Sequence, residues 1–171
     1  MGYSNPAPSG FEALQNVTEA VLHHNLTFEQ TDNEDTRAMA NTKTVHVPHL
    51  GGIDAGYQMP YPYDASKPTL VLVNSFTTSS ELYASQFENG ALNEKMNLLA
   101  IELLGHGKTR TDCENWTYWD TAIMNLQVME AMGIKKAFVL GTSQGGWICV
   151  RMALLSPHMV SPSLIRPTTP V

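Results

Sequence analysis

The residues best suited to chemistry lie in the stretch Lys135 to Trp147, Lys-Lys-Ala-Phe-Val-Leu-Gly-Thr-Ser-Gln-Gly-Gly-Trp. An apolar run, Ala137 to Leu140, ends in Gly141-Thr142-Ser143-Gln144-Gly145, and a helix-like sequence begins at once. A G-x-S-x-G pattern between a strand and a helix puts the serine on a strained turn and presents its hydroxyl at the top of a sheet. Side chains at 141 or 145 would collide with the neighbouring strand or helix, so both positions call for glycine. Ser143 is the candidate nucleophile, and a serine hydroxyl is a weak one until a base takes its proton.

Other residues tempt a reading and fail a spacing test. Gly107-Lys108-Thr109 looks like the end of a phosphate loop, but the first glycine of that motif would fall at 102, which is Glu. His23 and His24 are adjacent on an expected helix and point about 100° apart, so they suit a solvated helix end and not a metal. His46 and His49 flank an expected hairpin as surface residues. Met124, Met129 and Met132 read as core filler and not as a metal box. No metal and no cofactor are expected.

A 171-residue chain with 43% apolar and 15% charged residues reads as one globular domain. The net charge of -6 argues against nucleic acid or an anionic membrane surface as a partner. No apolar run is long enough to span a bilayer. The start of the chain lacks a secretory signal, and Pro6 spoils a myristoylation pattern. Cys113 and Cys149 read as two free thiols, and the expected location is cytoplasmic. The N-x-[ST] patterns at Asn16, Asn25 and Asn115 are chance matches in such a chain.

The elements that must position Ser143 follow from periodicity. Ser9 to Glu12 fits a capping box ahead of a short amphipathic helix bearing Phe11, Leu14, Val17, Val21 and Leu22, and an acidic linker follows. Thr44 to Val47 and Ile53 to Met59 form a hairpin about Gly51-Gly52. Thr69 to Val73 is a buried strand, with a helix from Ser79 or Ser80 through Phe87, interrupted at Gly90. Met96 to Leu103 is the next strand. A helix from Thr117 to Met132, capped by Gly133, leads to a strand over Ile134 to Leu140 and a last helix ending before Pro157. The fold class is α/β: a mostly parallel sheet with an N-terminal hairpin and helices on both faces. Sites in such sheets lie at the carboxyl ends of the strands, where Phe76, His106 and Ser143 fall. The expected organisation is an extension over 1–42, a globular domain over 43–157 and a proline-rich tail over 158–171.

These residues resemble the α/β-hydrolase family over about 43–157, as the N-terminal part of that fold. Val71-Leu72-Val73-Asn74-Ser75-Phe76 resembles its oxyanion loop, with Asn74-Ser75 in place of His-Gly. Glu102-Leu103-Leu104-Gly105-His106-Gly107 resembles its D-x-R-G-H-G turn, with Glu for Asp and Leu for Arg. Gly141 to Gly146 matches its nucleophile elbow. The resemblance implies an ester or small acyl substrate, Ser143 as nucleophile, and the backbone N–H groups of Phe76 and Gln144 as the oxyanion hole. It gives Gly105, His106 and Gly107 a structural part beside the site.

The family's triad runs Ser, then Asp or Glu, then His. The 28 residues after Ser143 contain no acid, and their one histidine is His158. A helix between the two would hold His158 about 20 Å from Ser143 at 1.5 Å per residue. The chain is therefore expected to be an incomplete hydrolase, to leave the family's frame near Val160, and to expose the elbow strand as a sheet edge. Such an edge invites aggregation or a partner. The alternatives are a non-catalytic binding or regulatory module and a non-functional fragment of the same fold.

Overall fold

The computed structural model describes residues 42–161. The expected helix after Ser9, the acidic linker and the last ten residues of the proline-rich tail lie outside the described residues.

The sheet is built around two all-buried strands, β3 (Thr69–Val73) and β4 (Asn97–Ile101). Their continuous apolar sequences suit strands covered on both faces. With β1 (Lys43–Val47), β2 (Ile53–Gln58) and β6 (Phe138–Gly141) they run in the order β1-β2-β4-β3-β6. β3 pairs in parallel with β4 and with β6. The hairpin β1–β2 joins antiparallel, Tyr57 standing opposite Ile101. A two-residue strand, β5 (Arg110–Thr111), adds to β2. The sequence contains too little of β5 to read: its pairing with Ile53 and Asp54 comes from the tertiary fold.

The turn of the hairpin needs three successive positive φ values, 54° at Leu50, 82° at Gly51 and 132° at Gly52. Glycine tolerates that region, which explains Gly51-Gly52. His46 pairs with Asp54 at 2.9 Å on the exposed hairpin face, while His49 reaches across to Asp120, also at 2.9 Å. His49 is therefore a staple between the hairpin and a helix and not a bare surface residue.

The crossovers between the parallel strands carry the helices. The connection from β3 to β4 carries a short 3-10 turn (Ser80–Tyr83), α1 (Ala84–Glu88) and α2 (Gly90–Lys95). The helical region is interrupted before Gly90, where Asn89 is extended, and restarts as α2 with Asn89 Oδ1 accepting from Leu92 N–H at 3.1 Å. The return from β4 to β6 crosses the opposite face through α3 (Tyr118–Ala131). α3 opens on a capping box: Thr117 Oγ1 accepts from Trp119 N–H, and Asp120 Oδ2 accepts from Thr117 N–H. It ends at Gly133, φ 72°. Ile134 N–H donates back to Met129 O at 2.8 Å, which ties residue 134 to the helix end and delays β6 to Phe138. α4 (Gln144–Leu155) packs beside α3 and over β6. Past Pro157 the chain turns back to the sheet, where Val160 bridges Ala137 in parallel. Among the described residues no helix is long and apolar enough to cross a membrane.

Candidate active site

Three connections leave the carboxyl ends of β3, β4 and β6, and the fold brings them together. The closest approach is backbone on backbone. A Cβ on Gly145 would strike Val73 O and lie 2.6 Å from Asn74 O, at the end of β3. A Cβ on Gly141 would strike Gly145 itself and lie 2.7 Å from Gly146 N. Both glycines are therefore required by space, one for the helix against the strand and one for the strand against its own helix.

Ser143 sits between them at φ 51°, ψ -117°. A non-glycine residue there is strained, and such strain persists only where the surroundings hold it. Ser143 occupies the N-cap position of α4, yet its side chain makes no capping hydrogen bond. The serine is exposed, with its hydroxyl not engaged by the helix. Gly145 N–H and Gly146 N–H donate back to Thr142 O at 2.8 Å and Ser143 O at 3.0 Å. Gln144 N–H has no hydrogen-bond partner among the described residues. It is the first N–H of a helix, where the backbone dipoles favour negative charge.

Phe76 N–H, on the loop after β3, likewise has no hydrogen-bond partner among the described residues. Asn74, fully buried, shapes that loop: its Nδ2 donates to Ser75 O at 3.0 Å and Thr78 O at 2.7 Å. Its Oδ1 accepts from Leu103 N–H at 3.3 Å, tying the loop to the end of β4. The neighbouring Thr77 N–H donates to His106 Nε2 at 3.3 Å, and the Phe76 ring meets the His106 ring edge to face at 5.9 Å. Phe76 itself is 65% exposed.

His106 stands on the turn after β4, where Gly105 and Gly107 have φ 77° and 49°. Its ring is committed on both sides. A backbone N–H only donates, so Nε2 accepts from Thr77, and Nδ1 carries the proton and donates to Leu104 O at 3.0 Å. Glu102, 1% exposed, holds the turn from beneath. Its carboxylate accepts from Ser80 Oγ at 2.7 Å and from Lys108 N–H at 2.6 Å. A side chain at 107 would run into that carboxylate. Trp116 lies over Gly105, 2.9 Å from where a Cβ would be.

Beneath the turn, Tyr83 OH donates to Val73 O at 2.8 Å, and burial pushes its phenol pKa up. Burial also pushes the Cys149 thiol up to about 12, so it is not a nucleophile. His158 follows the far end of α4, exposed, with Ser156 Oγ at 3.4 Å as its partner among the described residues. Among the described residues no group of three His, Cys, Asp or Glu side chains is placed to hold a metal.

The residues singled out in the sequence thus meet at one end of the sheet: Phe76, the Gly105-His106-Gly107 turn, and Gly141 through Gly145. Asn74 and Glu102 entered the sequence reading only as departures from a motif. Their positions as clamps come from partners 22 to 29 residues away in the chain.

The fold also matches known proteins. The family model for the alpha/beta hydrolase fold matches residues 68–162. An uncharacterized hydrolase of Bacillus subtilis, YugF, is 27% identical over 115 residues, covering 66% of this chain and 40% of its own length. A hydrolase from Pseudomonas aeruginosa superposes with TM-score 0.61 at 24% identity, over 71% of this chain and 44% of that one. A structure reported among carboxylesterases of Nitrososphaera gargenis gives TM-score 0.63 at 22% identity, over 71% and 43%. The chain spans less than half the length of these relatives. With more than half of its residues matched by the family model, and its sheet and crossovers shared with these structures, the chain belongs to the α/β-hydrolase family.

Proposed function

We propose that this chain carries the nucleophile side of a serine hydrolase acting on an ester or small acyl substrate. Ser143 is the nucleophile on its elbow, and the N–H groups of Phe76 and Gln144 form the oxyanion hole. The observation behind this reading is an exposed serine that does not cap its helix, next in the chain to Gln144, whose N–H, like that of Phe76 on the loop after the neighbouring β3, has no partner among the described residues.

Ser143 Oγ attacks the substrate carbonyl carbon, and the carbonyl oxygen takes the negative charge. The two N–H groups receive that charge, an arrangement in which one donor is worth a factor of about 10²–10³ in rate. The alcohol then leaves, and water releases the acyl group. An acid and a base are needed for turnover. His106 is spent on the loop, His158 lies at the wrong end of α4, and no Asp or Glu follows Ser143. On this reading the described residues give Ser143 neither its acid nor its base. The chain alone is then acylated slowly. Esterases among the structural neighbours, including one from Thermogutta terrifontis, fit the substrate class. The free thiols Cys113 and Cys149 fit a cytoplasmic protein.

The commitment of both His106 nitrogens also favours a second reading, a binding or regulatory module that keeps the oxyanion pocket without turnover. Incubation with 4-nitrophenyl butyrate separates the two. Acylation of Ser143 in peptide mass analysis, with nitrophenolate release lost in Ser143→Ala, supports the hydrolase. Release unchanged by that substitution overturns it. Butyrate held without acylation selects the second reading.

A further inference from the structure

Exposed large apolar side chains gather on one surface of the helical layer. Five of the nine among the described residues lie there: Tyr118 and Trp119 on the first turn of α3, and Trp147, Leu154 and Leu155 on α4. Trp147 is 59% exposed and Leu154 67%. Trp147, Arg151, Leu154 and Leu155 fall at i, i+4, i+7 and i+8, so they form one stripe along α4. The core takes the other face of this helix, where Ile148, Cys149 and Met152 are buried. The fold therefore has no use of its own for the stripe.

Arg151 joins the stripe to α3. Its guanidinium lies 5.5 Å from the Tyr118 ring centroid and 5.1 Å from that of Trp119. Nη1 donates to Trp147 O at 2.8 Å. Nε is buried with no hydrogen-bond partner among the described residues. Among those residues no carboxylate pairs with the charge. Asp120, the neighbour of Trp119, gives its oxygens to Thr117 and His49. A cation without a counter-ion thus stands inside an apolar patch, in a chain of net charge -6. Contiguous apolar patches of this kind mark interaction sites, and Trp, Tyr and Arg are the residue types that carry most binding energy at protein interfaces.

We propose that this surface docks an amphipathic helical segment of another protein, with aliphatic side chains on Trp147, Leu154 and Leu155 and a Glu or Asp carboxylate on Arg151. The carboxylate is the counter-ion that the fold does not supply, and an arginine held by two rings is already oriented to receive it. Trp147 to Leu154 spans about 10 Å, two helical turns, and a row of this repeat accepts the same repeat from a facing helix. A twofold contact with a second copy would set two Arg151 side chains together with no counter-ion between them. One arginine in an acidic chain is too little for an anionic membrane, which is read by clusters of basic residues. The inference does not rest on the chemistry of Ser143.

Two synthetic helical peptides test it on the full chain. One carries Leu at i, i+3 and i+7 and Glu at i+4, and the other has Lys in place of that Glu. The Glu peptide is expected to shift the indole N–H resonances of Trp119 and Trp147, and the Lys peptide to bind at least about tenfold more weakly. Arg151→Gln should bring the two peptides level. Because Arg151 also packs on α3, exposed Leu154 supplies a second variant. Leu154→Glu should weaken the Glu peptide about tenfold while urea unfolding stays unchanged. No shift with either peptide overturns the proposal, as does equal binding of the two or a preference that survives Arg151→Gln. Resonances that move only as a dimer forms in sedimentation assign the surface to a second copy and overturn it. Resonances that move only with phosphatidylserine vesicles assign it to a membrane and equally overturn it.

Discussion

Thr77 N–H donates to His106 Nε2 at 3.3 Å, joining the loop after β3 to the turn after β4 across 29 residues of sequence. Because the bond uses the one lone pair that could accept a proton, it makes His106 a brace for the loop that carries Phe76. His106→Ala removes the bond and the ring contact with Phe76. A loss of about 1–2 kcal/mol in urea unfolding is expected, together with faster amide exchange at Thr77. An unchanged Thr77 amide would show that the loop holds itself.

The close approach of α4 to β3 predicts a sharp contrast between two glycines. Gly145→Ala drives a Cβ into the backbone of Val73 and Asn74, which cannot move without breaking the sheet. The expected cost is more than about 3 kcal/mol, read as loss of soluble folded protein. Gly90→Ala meets nothing within 4 Å and has no positive φ. There the expected change is a gain of about 0.4–1 kcal/mol from a less flexible unfolded chain.

Glu102 predicts a graded pair of substitutions. Glu102→Ala leaves Ser80 Oγ and Lys108 N–H without their acceptor inside the fold. Unpaired buried donors and the lost volume should cost about 3 kcal/mol in denaturant unfolding. Glu102→Gln keeps one acceptor oxygen and should cost about half as much. Equal costs for the two would mean that the carboxylate acts only by filling space.

Asp120 gives α3 a pH-dependent start. Hydrogen bonds from the Thr117 hydroxyl and backbone, and then the His49 pairing, hold its carboxyl below the usual aspartate value. A depressed folded value means that the contribution is complete above the unfolded value, about 3.9, and disappears as pH falls through the lower folded one. Asp120→Asn should therefore cost about 1 kcal/mol near neutrality. The gap between the two proteins should close in unfolding curves below about pH 4. A gap that persists in acid would remove the carboxylate from the account.

Local pattern was enough for the elements. Continuous apolar runs marked β3 and β4, Thr117 and Asp120 marked the start of α3, and the glycine spacing around Ser143 marked a strained turn. Each of these is set by residues within a few positions, so each is legible without the fold. The interruption at Gly90 was legible too, while Asn89 as the cap that restarts the helix emerged from the structure.

The surroundings of Ser143 depend instead on partners far apart in the chain. Only the folded arrangement decides that the N–H groups of Phe76 and Gln144 find no partner among the described residues, that His106 spends both nitrogens, and that Asn74 and Glu102 become clamps. The same holds for the bridge from Val160 to Ala137, because it depends on where α4 returns the chain to the sheet. The sequence alone determined that a serine would stand on a sharp turn at a strand's end. Which groups surround that serine was settled by packing, because hydrogen bonds over long separations form only where strand order and crossover handedness bring the loops together.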